Sequence, residues 1–326
     1  MILVNKRTLW FLSISCLIFF TLPSYFSGVS AKIYDDTAVF TGYPVTSWET
    51  KHYVDPVTME VRELQAQGVS DEQIVSKLAT MGLGWDPETG STWVGIRLSS
   101  EEAYARGLAK PDFGMSPLTD DKRTSVCRTS PVYYYGIKCS MKCGTMNIDP
   151  QNQATWLQYV TTQLGLFSYD PRSWTEVYVS HTSSGYLWMA YDNDVVQGGY
   201  FYNFGTKTSG TETYDSYEIR VTGFNYGRQE WGYAIYINQA FKLNGFLAQN
   251  SYSSFQAAYQ KEIFSHTTGT FTSDSTNAAW QSSQLYDLEL WNNWGSSITT
   301  ELGAASPLTY SSGISSGCRY FNTITS

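Results

Sequence analysis

Two periodicities divide the chain. Between Asp55 and Gly107 apolar residues recur at helical spacing, whereas from Ser173 onward they alternate with polar ones in short runs separated by turn residues. Asp55-Pro56 opens a first predicted helix through Met59, Val61 and Leu64 to Gly68. Ser70 and Gln73 form a capping box for a second, in which Ile74, Val75, Leu78 and Met81 make one apolar stripe ending at Gly82. Ser99 and Glu102 start a third that runs through Tyr104 to Gly107, before Pro111, Gly114 and Pro117 break the pattern. Three short helices do not make a core alone, so they are expected to pack on the domain that follows.

The region Ser125–Met146 holds three cysteines around a predicted strand at Val132–Tyr135. Asp149-Pro150 then reads as the cap of a helix with Trp156, Leu157, Val160 and Leu164 on its apolar face, closed by Gly165. Strands are predicted at Trp174–Ser180, Tyr186–Tyr191, Val195–Phe204, Ser216–Thr222, Glu230–Ile237, Lys242–Phe246, Tyr259–His266, Ala278–Leu290 and Gly317–Thr323. Asp192-Asn193-Asp194 supplies turn chemistry between the second and third. Many short strands without intervening helices predict a mainly β fold, an antiparallel β-sandwich preceded by a small helical segment.

The first residues have the layout of an export signal. Lys6 and Arg7 precede the apolar run Leu9–Leu22, and Val29-Ser30-Ala31 offers small residues for cleavage. The expected division is 1–31 signal peptide, 32–124 helical N-terminal segment and possible propeptide, and 125–326 β-sandwich domain; an uncleaved anchor is the alternative to removal of 1–31. No later stretch is apolar enough to span a bilayer as a helix. A secreted location agrees with 16% aromatic and only 15% charged residues, a surface kept soluble by hydroxyls and amides. The formal net charge of −8 offers no basic patch for phosphates, which argues against nucleic acid as a partner.

Four cysteines follow the signal: Cys127, Cys139, Cys143 and Cys318. In an exported chain an even number predicts two disulfides, for which three pairings are possible. Cys139 and Cys143 lack a nearby histidine, and only His52, His181 and His266 exist, so no metal site or cofactor is expected.

Familiar catalytic signatures are missing. There is no Gly-x-Ser-x-Gly elbow, no HExxH, no P-loop and no dinucleotide fingerprint. Two features remain. Gln197 is an amide among aromatics, followed by Gly198 and Gly199, and glycine inside a strand often marks close approach of a ligand or backbone. Glu262 stands in a predicted strand bracketed by apolar and aromatic groups, whereas most of the other glutamates of this part, Glu218 among them, read as solvated.

The run Leu187–Asp192, with Trp188 four residues before Asp192, followed by Val195-Val196-Gln197-x-Gly199, resembles the heart of the secreted glutamic peptidases of the eqolisin type. Ser216–Val221, Trp231–Phe241 and Ala257–Ile263 are similar to later strands of that family, with Ile263 where the family has Trp after its catalytic Glu. The plant neprosin-type peptidases resemble it more distantly. The resemblance spans about Ser173–Leu290 and implies a concanavalin A-like jelly roll and a cofactor-free acid endopeptidase made as a zymogen. By it, Glu262 would be general base and acid and Gln197 the oxyanion donor. Tyr200, Tyr202, Trp231 and Tyr233 would line a groove for a polypeptide, with Asp192 holding the turn. The alternative is a non-catalytic module that stacks a glycan or cell-surface ligand on the same aromatics. A two-carboxylate glycosidase would need a second suitably placed acid.

Overall fold

The structure, a computed structural model, describes residues 54–106, 108, 121–129, 134–147, 158–167, 173–182, 185–194, 198–225, 230–248, 255–265, 271–287 and 289–326. The elements in order are α1 Pro56–Ala66, α2 Asp71–Thr80, β1 Leu83–Trp85, β2 Thr92–Val94, β3 Ile96–Ser99, α3 Ser100–Ala105, β4 Asp121–Thr129, β5 Gly136–Lys142, β6 Gln158–Phe167, β7 Trp174–Thr182, β8 Gly185–Asp194 and β9 Gly198–Thr206. There follow β10 Asp215–Asn225, β11 Glu230–Ile237, β12 Ala240–Ala248, β13 Gln256–Ser265, β14 Ala278–Tyr286, β15 Trp291–Asn293, β16 Thr300–Ala304, β17 Leu308–Ser315 and β18 Cys318–Thr325.

The three helices form where capping chemistry predicts them. The Asp55 carboxylate accepts from the amides of Val57 and Thr58, and the Ser70 and Gln73 side chains make the reciprocal box. Their buried stripe is narrower than the pattern suggests: Val57, Val61, Leu64, Ile74 and Leu78 cluster against Leu83, Trp85 and Phe241, while Met59, Val75 and Met81 are exposed. The segment between the helices and β4 is not purely helical. β1 and β2 form a hairpin whose second strand pairs with β12, and β3 pairs with β9, so residues 83–99 extend both sheets.

Among the described residues the strands form two antiparallel sheets packed as a sandwich. One has the order β1-β2-β12-β11-β10-β5-β14-β18-β17 with β15 beside β14; the other runs β16-β4-β13-β6-β7-β8-β9-β3. Alternation sends one face of each strand into the shared core. Tyr217, Ile219, Tyr233 and Ile235 come from the first sheet, and Leu164, Val177, Tyr202 and Tyr259 from the second. Tyr259 stacks on Trp280 at 5.7 Å and 21° across that layer, and the Trp280 indole donates to the Gln163 carbonyl at 3.1 Å. No described helix is long and apolar enough to cross a membrane.

Three sequence expectations change. The helix predicted through Val160 and Leu164 is the strand β6, paired with β13 along its length and with β7 from Val160 onward. Val160-Thr161-Thr162 is β-branched and Gly165 lies inside the strand, so two long ladders outweigh the helical spacing. The Asp192-Asn193-Asp194 turn is instead the end of β8, paired with Tyr200, Gly199 and Gly198; residues 195–197 lie outside the described residues. Finally, Cys127, Cys139, Cys143 and Cys318 are free thiols rather than disulfides. Cys139 and Cys143 lie on and just beyond β5, roughly 13 Å apart along an extended chain, against the roughly 7 Å limit between bridged Cα atoms. Cys127 is in the opposite sheet.

Candidate active site

β13 sends Ala257, Tyr259, Lys261 and Ile263 towards the core, so Gln260 and Glu262 project from the other side of its sheet. Lys261, the cation next to Glu262 in sequence, is bonded instead to Asp274. Both members of that pair are buried, and Asp274 also accepts from the amide of Thr325 at 2.8 Å. The Gln260 amide donates to Glu262 Oε2 at 3.0 Å, and Glu262 is 5% exposed.

The registers extend this outer face across the sheet. Gln163 of β6 lies opposite both Gln260 and Tyr178, and Tyr178 lies opposite Met189 of β8. One step along the strands, Gly165 faces Glu176 and Glu176 faces Tyr191, which in turn faces Phe201. Burial pushes the Tyr178 phenol well above its ordinary range, and the charges of Glu176 and Glu262 add to the shift. Tyr178 is therefore a protonated donor between two acids. Strand spacing puts the backbones of Glu176 and Glu262 about 16 Å apart, two strands and four residues removed. That separation, with Tyr178 in between, does not favour the close carboxyl pair of a glycosidase.

An aromatic strip crosses the same face. Phe167 stacks on Trp174 with ring centres 6.3 Å apart, Trp174 meets Tyr191 at 6.0 Å, and Tyr191 meets Phe201 at 4.4 Å. A side chain at Gly199 would collide with the Tyr191 phenol, so this glycine makes room for a ring of its own sheet. Leu108, beyond α3, packs with Tyr191 and Phe201 against Tyr178, Leu187 and Met189, so the N-terminal segment reaches the centre of the face.

The four aromatics expected to line a groove do not share a face with Glu262. Tyr202 and Tyr233 are 2% and 0% exposed between the sheets, Trp231 belongs to the same core, and Tyr200 packs against it, stacked on the Arg97 guanidinium at 4.6 Å. Alternation explains the error: with Phe201 on the outer face, Tyr200 and Tyr202 must turn inward. Asp192 likewise faces the core, where the Tyr233 phenol donates to it at 2.6 Å. Gln197 lies outside the described residues.

Sequence reasoning missed Gln163, Trp174, Glu176, Tyr178 and Gln260. The signal for most of them was present, because Trp174, Glu176 and Tyr178 occupy every second position of one predicted strand. Among the described residues no group of three or more His, Cys, Asp and Glu is arranged to hold a metal. What the face offers is acid–base chemistry by a carboxylate held by an amide, beside a protonated phenol.

No family model matches the chain, and no curated protein matches it significantly. Among solved structures, it is similar to scytalido-glutamic peptidase with a peptide-based transition state analogue, at 9% identity and a TM-score of 0.41 over 63% of this chain and 98% of that one. SCP-B, a member of the eqolisin family of peptidases in complex with the tripeptide Ala-Ile-His, aligns at 7% identity and a TM-score of 0.37 over the same shares. Bacillus licheniformis β-glucanase aligns at 10% identity and 0.24 over 48% of this chain and 83% of that one. Likenesses this weak carry no argument about substrate or reaction.

Proposed function

We propose that the chain is an exported acid-acting endopeptidase of the glutamic type. The observation that carries this reading is the strand carboxylate of Glu262, turned away from the core, held by a neutral amide and separated from Lys261 by the thickness of the sheet. In the proposed reaction Glu262 takes a proton from a water as that water attacks the scissile carbonyl, and returns it to the leaving amine. Gln197, assigned by the sequence resemblance, donates to the developing oxyanion. Leu108 on the face fits a precursor whose N-terminal segment restricts access until it is displaced. The test is incubation of the exported protein with an unfolded protein substrate between about pH 3 and 7. New peptide N-termini are expected, and intact substrate throughout overturns the proposal.

A second reading, a carbohydrate-binding module, is favoured by the aromatic strip Phe167–Trp174–Tyr191–Phe201, because sugar rings stack on such platforms. Binding on a glycan array that Trp174→Ala abolishes and Glu262→Gln leaves intact would favour it.

A further inference from the structure

We propose that Gln260 is a positioning residue for Glu262; this rests on the reading of Glu262 as the general base. Residues two apart on a strand share a face with their Cα atoms about 6.6 Å apart, a gap that the Gln260 side chain spans to place its amide 3.0 Å from Glu262 Oε2. A glutamate has three rotatable side-chain bonds, and a base must be held in one orientation for proton transfer to a bound water. Lys261, the cation next to Glu262 in sequence, does not compete for it, because it points through the sheet to Asp274. Gln163, buried at 4% exposure, stands directly across from Gln260 on β6. An amide suits the task in an acidic medium, since it donates without titrating and adds no full positive charge beside the base.

The inference separates orientation from substrate binding. In the full-length exported chain, Gln260→Leu should lower kcat about 10- to 100-fold, the scale of a small misplacement of a catalytic group. KM should stay within about twofold, since no substrate contact is removed. Independently of activity, deuterium relaxation of the Glu262 side-chain methylenes, assigned through Glu262→Gln, should show a clear fall in order in the Gln260→Leu variant. Gln260→Ala repeats both measurements without a branched side chain, in case Leu disturbs the sheet. Unchanged kcat together with unchanged methylene order overturns the positioning role. If Glu262→Gln keeps full activity, the base reading fails instead, and the relaxation comparison still decides whether Gln260 orders Glu262.

Discussion

The Tyr233 phenol of β11 donates to the Asp192 carboxylate of β8 at 2.6 Å, a polar tie across the apolar layer between the two sheets. A hydrogen bond to a buried carboxylate contributes roughly 1.5–3 kcal/mol, so Tyr233→Phe should destabilise the fold by about that amount. Urea unfolding measures it, and the aromatic ring is retained so that packing is not the cause. Because the tie faces away from Glu262, activity per folded molecule should be unchanged.

Alkali should unfold this protein more readily than mild acid does. Tyr178, Tyr202, Tyr217, Tyr233 and Tyr259 are all raised well above their ordinary range, with burial the largest cause in each. In the unfolded chain these phenols ionise near pH 10, while the folded chain keeps their protons. The unfolded state then binds fewer protons, so stability is fully present below about pH 10 and falls as pH rises above it. Urea midpoints measured at increasing pH should decline steeply from that point; a flat profile through pH 11, about a unit above the unfolded value, would contradict the burial of these rings.

The thiols make a sharper statement than the cysteine count did. Burial pushes Cys127 up to about 12 and Cys143 up to about 11, and drives Cys139 higher still. A thiolate is the reactive form, so these three should resist a disulfide reagent in the native state. Cys318, half-buried, should react first. Titration of the chain from Lys32 onward, which leaves out Cys16, should therefore count one accessible thiol before unfolding and four after it. No reactive thiol after unfolding would show that the chain is cross-linked after all.

Leu108 lies against Tyr178, Leu187 and Met189, between the N-terminal segment and the candidate active face. Replacing it with Asp puts a charge against that apolar cluster and should lift the segment away. The full-length Leu108→Asp variant should cleave an unfolded substrate several-fold faster than the parent chain, an effect on access and not on chemistry. Equal rates would show that Leu108 does not restrict the face.

Local chemistry made the helices and most strands legible. Asp55, Ser70 and Ser99 announce helix starts through short-range capping, and the strand from Trp174 to Ser180 is visible in its alternation. β6 was not legible, because Val160 and Leu164 satisfy a helical spacing and only pairing with β7 and β13 decides between the two. Nor were β1 to β3, short strands that exist because sheet edges await them. At the site, Glu262 could be chosen from its setting, but the side of the sheet on which each aromatic stands depends on register. A one-residue difference separates Phe201 on the outer face from Tyr202 in the core.

The most direct test of the account is the peptidase rate of Glu262→Gln against the parent chain, with circular dichroism and melting temperature as controls for folding. Loss of a general base predicts a fall of about 10²- to 10⁴-fold with the fold intact. A variant that folds normally and cleaves at the parental rate would contradict the central claim.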